Sequence, residues 1–127
     1  MAMMFKWGQF STMYSRAGFI EARERGLTLE EAGSLIHDYW VAAQTVAEKQ
    51  LEWDKPFLID YTAEKAESHQ AMRVSYAELS REDQIKDLYL IYEFDEDWFM
   101  KQEGAEEIKA RFPEIISWVD WTGKEGQ

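Results

Sequence analysis

Apolar residues recur at three- and four-residue steps through most of this chain, the spacing that lines one face of an α-helix. Phe10, Met13, Tyr14, Ala17 and Ile20 do so first. They predict a helix over about 9–25, which Gly26 is placed to stop. Leu29, Ala32, Leu35, Ile36, Tyr39, Trp40, Ala43, Val46 and Ala47 carry the longest stripe and predict a helix over 29–52. Thr28 and Glu31 stand at its start as a capping box, in which each side chain satisfies the other residue's orphan N–H.

Asp54-Lys55-Pro56 then breaks the pattern, and Phe57-Leu58-Ile59 is a short apolar run suited to a strand or an extended arm. From Thr62 to about Arg73 a polar helix is expected, with Glu64 well placed against the partial positive charge of its first turn. Its apolar face (Ala63, Ala66, Gln70) is weak, which puts it on the outside. Ser80 with Asp83 caps the next helix, whose stripe Ile85, Leu88, Tyr89, Ile91, Tyr92, Trp98 and Phe99 runs toward Gly104. Ala105 to Phe112 makes a short helix that Pro113 interrupts. Ile115, Trp118 and Val119 favour a further helix over 114–121, and residues 122–127 read as a frayed tail. The whole describes one all-α domain over 1–127, a bundle of five or six helices with its core from those at 9–25, 29–52 and 81–103.

Composition narrows the chemistry. Among 127 residues there is no cysteine, which excludes disulfides, thiolate metal sites and cysteine nucleophiles. The longest uncharged runs, Trp7 to Ser15 and Tyr39 to Ala47, are about half of the roughly 20 residues a bilayer needs. The start, Met1-Ala2-Met3-Met4-Phe5-Lys6, lacks the basic-then-apolar plan of a signal peptide. No membrane span and a cytoplasmic home are therefore expected. The formal charge is -11. Residues 78–114 alone hold 12 acids against 5 bases. Such a field opposes direct binding to nucleic-acid phosphates or anionic lipid and favours a partner with a basic surface. Gly26 to Ala32 fits the turn of a helix-turn-helix, but Glu30, Glu31 and Asp38 beside it suit phosphate contact poorly.

The cluster Glu93-Phe94-Asp95-Glu96-Asp97 stands out. In an unbroken helix Asp95 would fall between Tyr92 and Trp98/Phe99 on the apolar face, desolvated and raised in pKa unless a base pairs with it. Either the helix breaks there, or Asp95 pairs with an Arg or Lys, or it lines a pocket as a functional acid. A different reading joins Glu64 and Glu67 with Glu93 and Glu96 as facing Glu-x-x-Glu pairs able to hold magnesium through oxygen. That arrangement resembles the all-helical nucleotide pyrophosphohydrolases, with Glu96 standing where that family has Asp. Only two histidines occur. His37, one turn after Gly33, is expected as a hydrogen-bonded structural residue at a close helix approach, and His69 as a solvated one. No Ser/His/Asp constellation, nucleophile elbow or glycine-rich phosphate loop is present.

The stretch Ser75-Tyr76-Ala77-Glu78-Leu79-Ser80-Arg81-Glu82-Asp83-Gln84-Ile85-Lys86-Asp87 is similar to a stretch of RyR-type repeat domains and of small phage-encoded helical proteins. The resemblance covers about a tenth of the chain and implies a compact helical module that binds a nucleotide-like ligand or a protein. Size, acidity and aromatic content also resemble small phage proteins that disable host or defence machinery.

Three functional readings follow. The first is a non-enzymatic interaction protein, such as a phage-type inhibitor. It would present Glu93, Asp95, Glu96, Asp97, Glu103, Glu106 and Glu107 to a basic protein surface, with Trp98, Trp118 and Trp121 as aromatic anchors. That reading needs no cofactor. The second is a nucleotide-binding module or magnesium-dependent hydrolase built on Glu64, Glu67, Glu93 and Glu96. The third is an oligomeric structural or assembly subunit.

Overall fold

A computed structural model describes residues 4–121; the expected frayed tail, 122–127, lies outside the described residues. The fold is all-α: α1 (Trp7–Glu24), α2 (Leu29–Gln50), α3 (Ala63–His69), α4 (Arg81–Phe94), α5 (Glu96–Met100), α6 (Ala105–Ala110) and α7 (Phe112–Ile115). Two single-turn 3-10 helices, Gln70–Met72 and Tyr76–Glu78, join α3 to α4. No helix is long and apolar enough to cross a membrane among the described residues.

α1 and α2 form the backbone of the bundle as a helical hairpin. Gly26 ends α1 at a positive φ of 66°, and Leu27 N–H donates to the Ala22 carbonyl at 3.0 Å, closing the last turn. Thr28 and Glu31 make the expected capping box at the head of α2. At Gly18 the two helices nearly touch, since an added Cβ would lie 2.9 Å from the Tyr39 ring and 3.3 Å from Ile36 Cα. Gly33 does the same between α2 and α4. A Cβ there would stand 2.8 Å from Leu88 Cδ2 and 3.0 Å from the Tyr76 ring.

Two apolar clusters result. One joins Phe19, Ala22, Leu29 and Ile36 to Ile85, Leu88, Tyr89, Ile91, Phe99, Phe112 and Ile116. The other joins Trp7, Phe10, Ala43 and Ala47 to Leu58, Tyr61 and Ala66. The apolar run 57–59 is the extended arm. Phe5 N–H donates to Phe57 O and Ile59 N–H to Phe5 O, each at 2.9 Å, making one isolated parallel bridge. Next to it the Asp60 carboxylate accepts the Trp7 N–H at 2.6 Å, fixing the start of α1.

The expected helix over 81–103 is in fact two, because Asp95 leaves helical geometry (φ -157°, ψ 88°) and caps α5 by accepting the Trp98 N–H at 3.0 Å. Asp95 also meets Arg23 Nη1 at 3.0 Å. Break and ion pair, offered as alternatives, are both realised. The cap and then Arg23 hold its carboxyl below the usual range. Pro113 sits in the first turn of α7, where its missing N–H leaves no bond unmade. The helix expected over 114–121 is not formed. α7 ends at Ile115 and residues 116–120 run as turns and irregular chain.

Candidate functional site

A cavity of about 560 Å³ opens at the seam between the two apolar clusters, bounded by α1, α2, α3 and α4. That size is within the range of small-molecule sites. Each wall has a local cause. Trp7 is set by the Asp60 cap. His37 and Trp40 are three apart on α2 and project side by side, their rings stacked at 5.8 Å between centroids and 24° between planes. His69, the last residue of α3, meets both tryptophans, at 5.7 Å from Trp7 and 5.6 Å from Trp40. Arg73 pins the following 3-10 turn to α2, its Nε donating to Gln44 Oε1 at 2.8 Å and its guanidinium pairing with Glu48. That turn places Met72 on the wall. α4 contributes Asp83, Lys86, Asp87 and Leu90, one helical stripe, while Leu79 and Trp118 close the rim.

His37 is the buried centre of this wall, 2% exposed. Its Nε2 stands 2.8 Å from the Val74 carbonyl, which can only accept, so Nε2 carries a hydrogen. Its Nδ1 lies 3.3 Å from Asp87 Oδ2. Burial works against an imidazolium here. Asp87 and the Val74 carbonyl outweigh it and lift the pKa above the ordinary value. Burial also raises the Asp87 carboxyl, with His37 opposing. Apart from that His37 contact, no donor reaches Asp87 Oδ2, which is buried, among the described residues. His69 differs. Burial, then Lys65 and Arg73, push its pKa down, and its buried Nδ1 has no partner among the described residues. Lys86 Nζ is 3.4 Å from Asp83 Oδ1. The lining thus holds two carboxylates, Asp87 beside His37 and Asp83 beside Lys86, and the His69 imidazole against the Trp7 and Trp40 indoles.

The residues singled out from sequence fall elsewhere, except Trp118, which is 62% exposed at the rim. Glu93 accepts the Tyr89 hydroxyl at 2.5 Å, and Asp95 is spent on its cap and Arg23. Trp98 packs edge-on to Phe19 at 5.3 Å, and Trp121 donates its Nε1–H to Ile116 O at 2.9 Å while stacking near Phe112. Neither is a free anchor. Glu96, Asp97, Glu103, Glu106 and Glu107 are exposed. Among the described residues no three His, Asp or Glu gather as a metal site, so Glu64 and Glu67 do not converge with Glu93 and Glu96.

His69, expected to be solvated, instead lines the cavity between two indoles. His37 is held by Val74 and Asp87 at a close helix approach, as its position after Gly33 implied. Missed were Trp7, Trp40, His69, Asp83, Lys86 and Asp87. The signal present in the sequence was the run Asp83, Lys86, Asp87, Leu90 at helical spacing, a polar stripe alongside an apolar one. Comparison with protein-family models, with curated proteins and with solved structures finds no match to this chain.

Proposed function

We propose that this chain is a binding module that takes a small molecule by a flat ring in the cavity between α1, α2, α3 and α4. The observation that supports it is the convergence of Trp7, His37, Trp40 and His69 around about 560 Å³ of space. Rings that meet tilted or edge-on, at 5.6 and 6.3 Å, leave faces and edges for a further ring to contact. The stretch similar to RyR-type repeat domains supplies Leu79, Asp83, Lys86 and Asp87 to this wall, and that resemblance implies a nucleotide-like ligand or a protein. A base fits the aromatic wall. A phosphate finds only Lys86, which Asp83 already engages.

The test is a thermal-shift and tryptophan-fluorescence screen of planar compounds, nucleosides and nucleotides, with and without magnesium, repeated on Trp40→Ala. A ring compound that stabilises the protein and quenches its fluorescence, with both effects weakened in Trp40→Ala, is expected. Absence of any shift across the panel, or equal shifts in the variant, refutes the reading.

One observation favours a second reading, the acidic interaction protein or inhibitor. Glu96, Asp97, Glu103, Glu106 and Glu107 are exposed and make no ion pair among the described residues, and Trp118 stands out beside the cavity. Charge of this kind steers association with a basic protein surface and is screened by salt. Under it, capture of a basic partner from the native host weakens with salt and with Glu96→Lys and Asp97→Lys. Capture indifferent to both removes it.

A further inference from the structure

The geometry points to an organic cation with N–H donors on a flat ring, of the amidinium or guanidinium kind, as the ligand class of the cavity, its charged end on Asp87. This rests on the ring-binding reading above and adds the sign of the ligand's charge. Three observations carry it.

First, Asp87 is a carboxylate short of donors. Its side chain is 13% exposed on the cavity wall; Oδ2 is shut away against His37 Nδ1 at 3.3 Å, and Oδ1, the oxygen left for a ligand, receives no hydrogen bond among the described residues. A buried carboxylate normally collects several donors, and missing ones are what a ligand's N–H groups supply. Second, the walls are Trp7, Trp40 and Trp118, and indole faces attract cations more strongly than any other side-chain ring. Third, an anion finds no uncompensated positive charge. His37 faces Asp87, Lys86 faces Asp83, burial disfavours a charge on His69, and the molecule as a whole carries -11. A cation entering this site moves down the field, and an anion moves against it.

Three ligands of one shape separate charge from fit: benzamidinium, benzamide and benzoate, each titrated by tryptophan fluorescence and thermal shift. Benzamidinium is expected to bind about tenfold or more tighter than benzamide, the scale of a cation–π contact with a charged hydrogen bond, and benzoate weakest. Asp87→Asn should remove most of the benzamidinium advantage over benzamide, leaving the share due to the indole faces, and leave benzamide itself unchanged. Lys86→Gln, at the exposed rim, tests the same point without disturbing a buried residue. It frees Asp83 and should tighten benzamidinium a few-fold. Benzoate or benzamide binding as well as benzamidinium, or benzamidinium weakened by Lys86→Gln, overturns the cation inference while the ring-binding reading stands. Failure of all three ligands, together with an empty planar-compound screen, removes the reading on which it rests.

Discussion

Gly33→Ala probes the contact that brings the two halves of the cavity together. Gly33 lies where α4 crosses α2, one turn before His37, and an added methyl would sit 2.8 Å from Leu88 Cδ2 and 3.0 and 3.1 Å from the Tyr76 ring. Neither neighbour is a loose end. Leu88 is fully buried, and the buried Tyr76 is tethered through its hydroxyl to Glu30 at 2.6 Å. Overpacking of this kind costs about 1–3 kcal/mol, against a helix-propensity gain of about 0.5–1 kcal/mol for alanine. The net loss is about 1–2 kcal/mol, a Tm lowered by roughly 3–8 °C for a chain of this size. Urea and thermal melts measure it. Gly8→Ala is the control, since a Cβ there meets nothing within 4 Å and should leave stability level or slightly raised. Pushing α4 outward also separates Asp87 from His37, so the Gly33→Ala variant should lose cavity-ligand affinity. A Gly33→Ala protein as stable as the parent would show that α2 and α4 are not in the tight contact on which the site's geometry depends.

The pH profile should peak near the ordinary histidine pKa. Because the folded pKa of His37 is raised by Asp87 and Val74 against its burial, its stabilisation is present below about 6.5 and is lost as pH climbs through the folded value. His69, lowered chiefly by burial, acts the other way and costs stability below about 6.5. Chemical denaturation from pH 5 to 9 of the parent, His37→Gln and His69→Gln should lose the alkaline limb in the first variant and flatten the acid limb in the second; unchanged limbs refute the two assignments. Glu30 is held low by its fork to Arg81, with burial opposing and Tyr76 assisting, so its contribution fades as pH falls through its lowered pKa. Glu30→Gln should flatten that limb, which acid titration by circular dichroism checks. Thr28→Ala, which breaks the capping box of α2, should cost about 1 kcal/mol in urea melts, and a loss near zero would mean that the cap is idle.

Legibility from sequence followed how local the cause was. The all-α class, the α2 capping box, the Ser80 cap and the stop at Gly26 depend on neighbours within a few positions, and each is where the spacing put it. The break at Asp95 was visible only as a conflict between a carboxylate and an apolar stripe. Its resolution needed Arg23, 72 positions away in the chain. His69 looked solvated because its own helix is polar, yet Trp7 and Trp40, distant in sequence, close over it. Trp40 sat in an apolar stripe and read as core, which is what an aromatic at helical spacing usually is. The cavity exists because two clusters built from different parts of the chain meet imperfectly, and a local pattern carries no record of such a seam.

The most direct measurement is an amide and indole 1H–15N correlation map recorded through a benzamidinium titration. Saturable shifts are expected for the Trp7, Trp40 and Trp118 indole N–H signals together with the backbone amides of His37, Asp83 and Asp87, while those of Glu103, Glu106 and Glu107 stay in place. Shifts confined to the acidic surface around Glu96 to Glu107, with the three indoles unmoved, would contradict binding in the cavity.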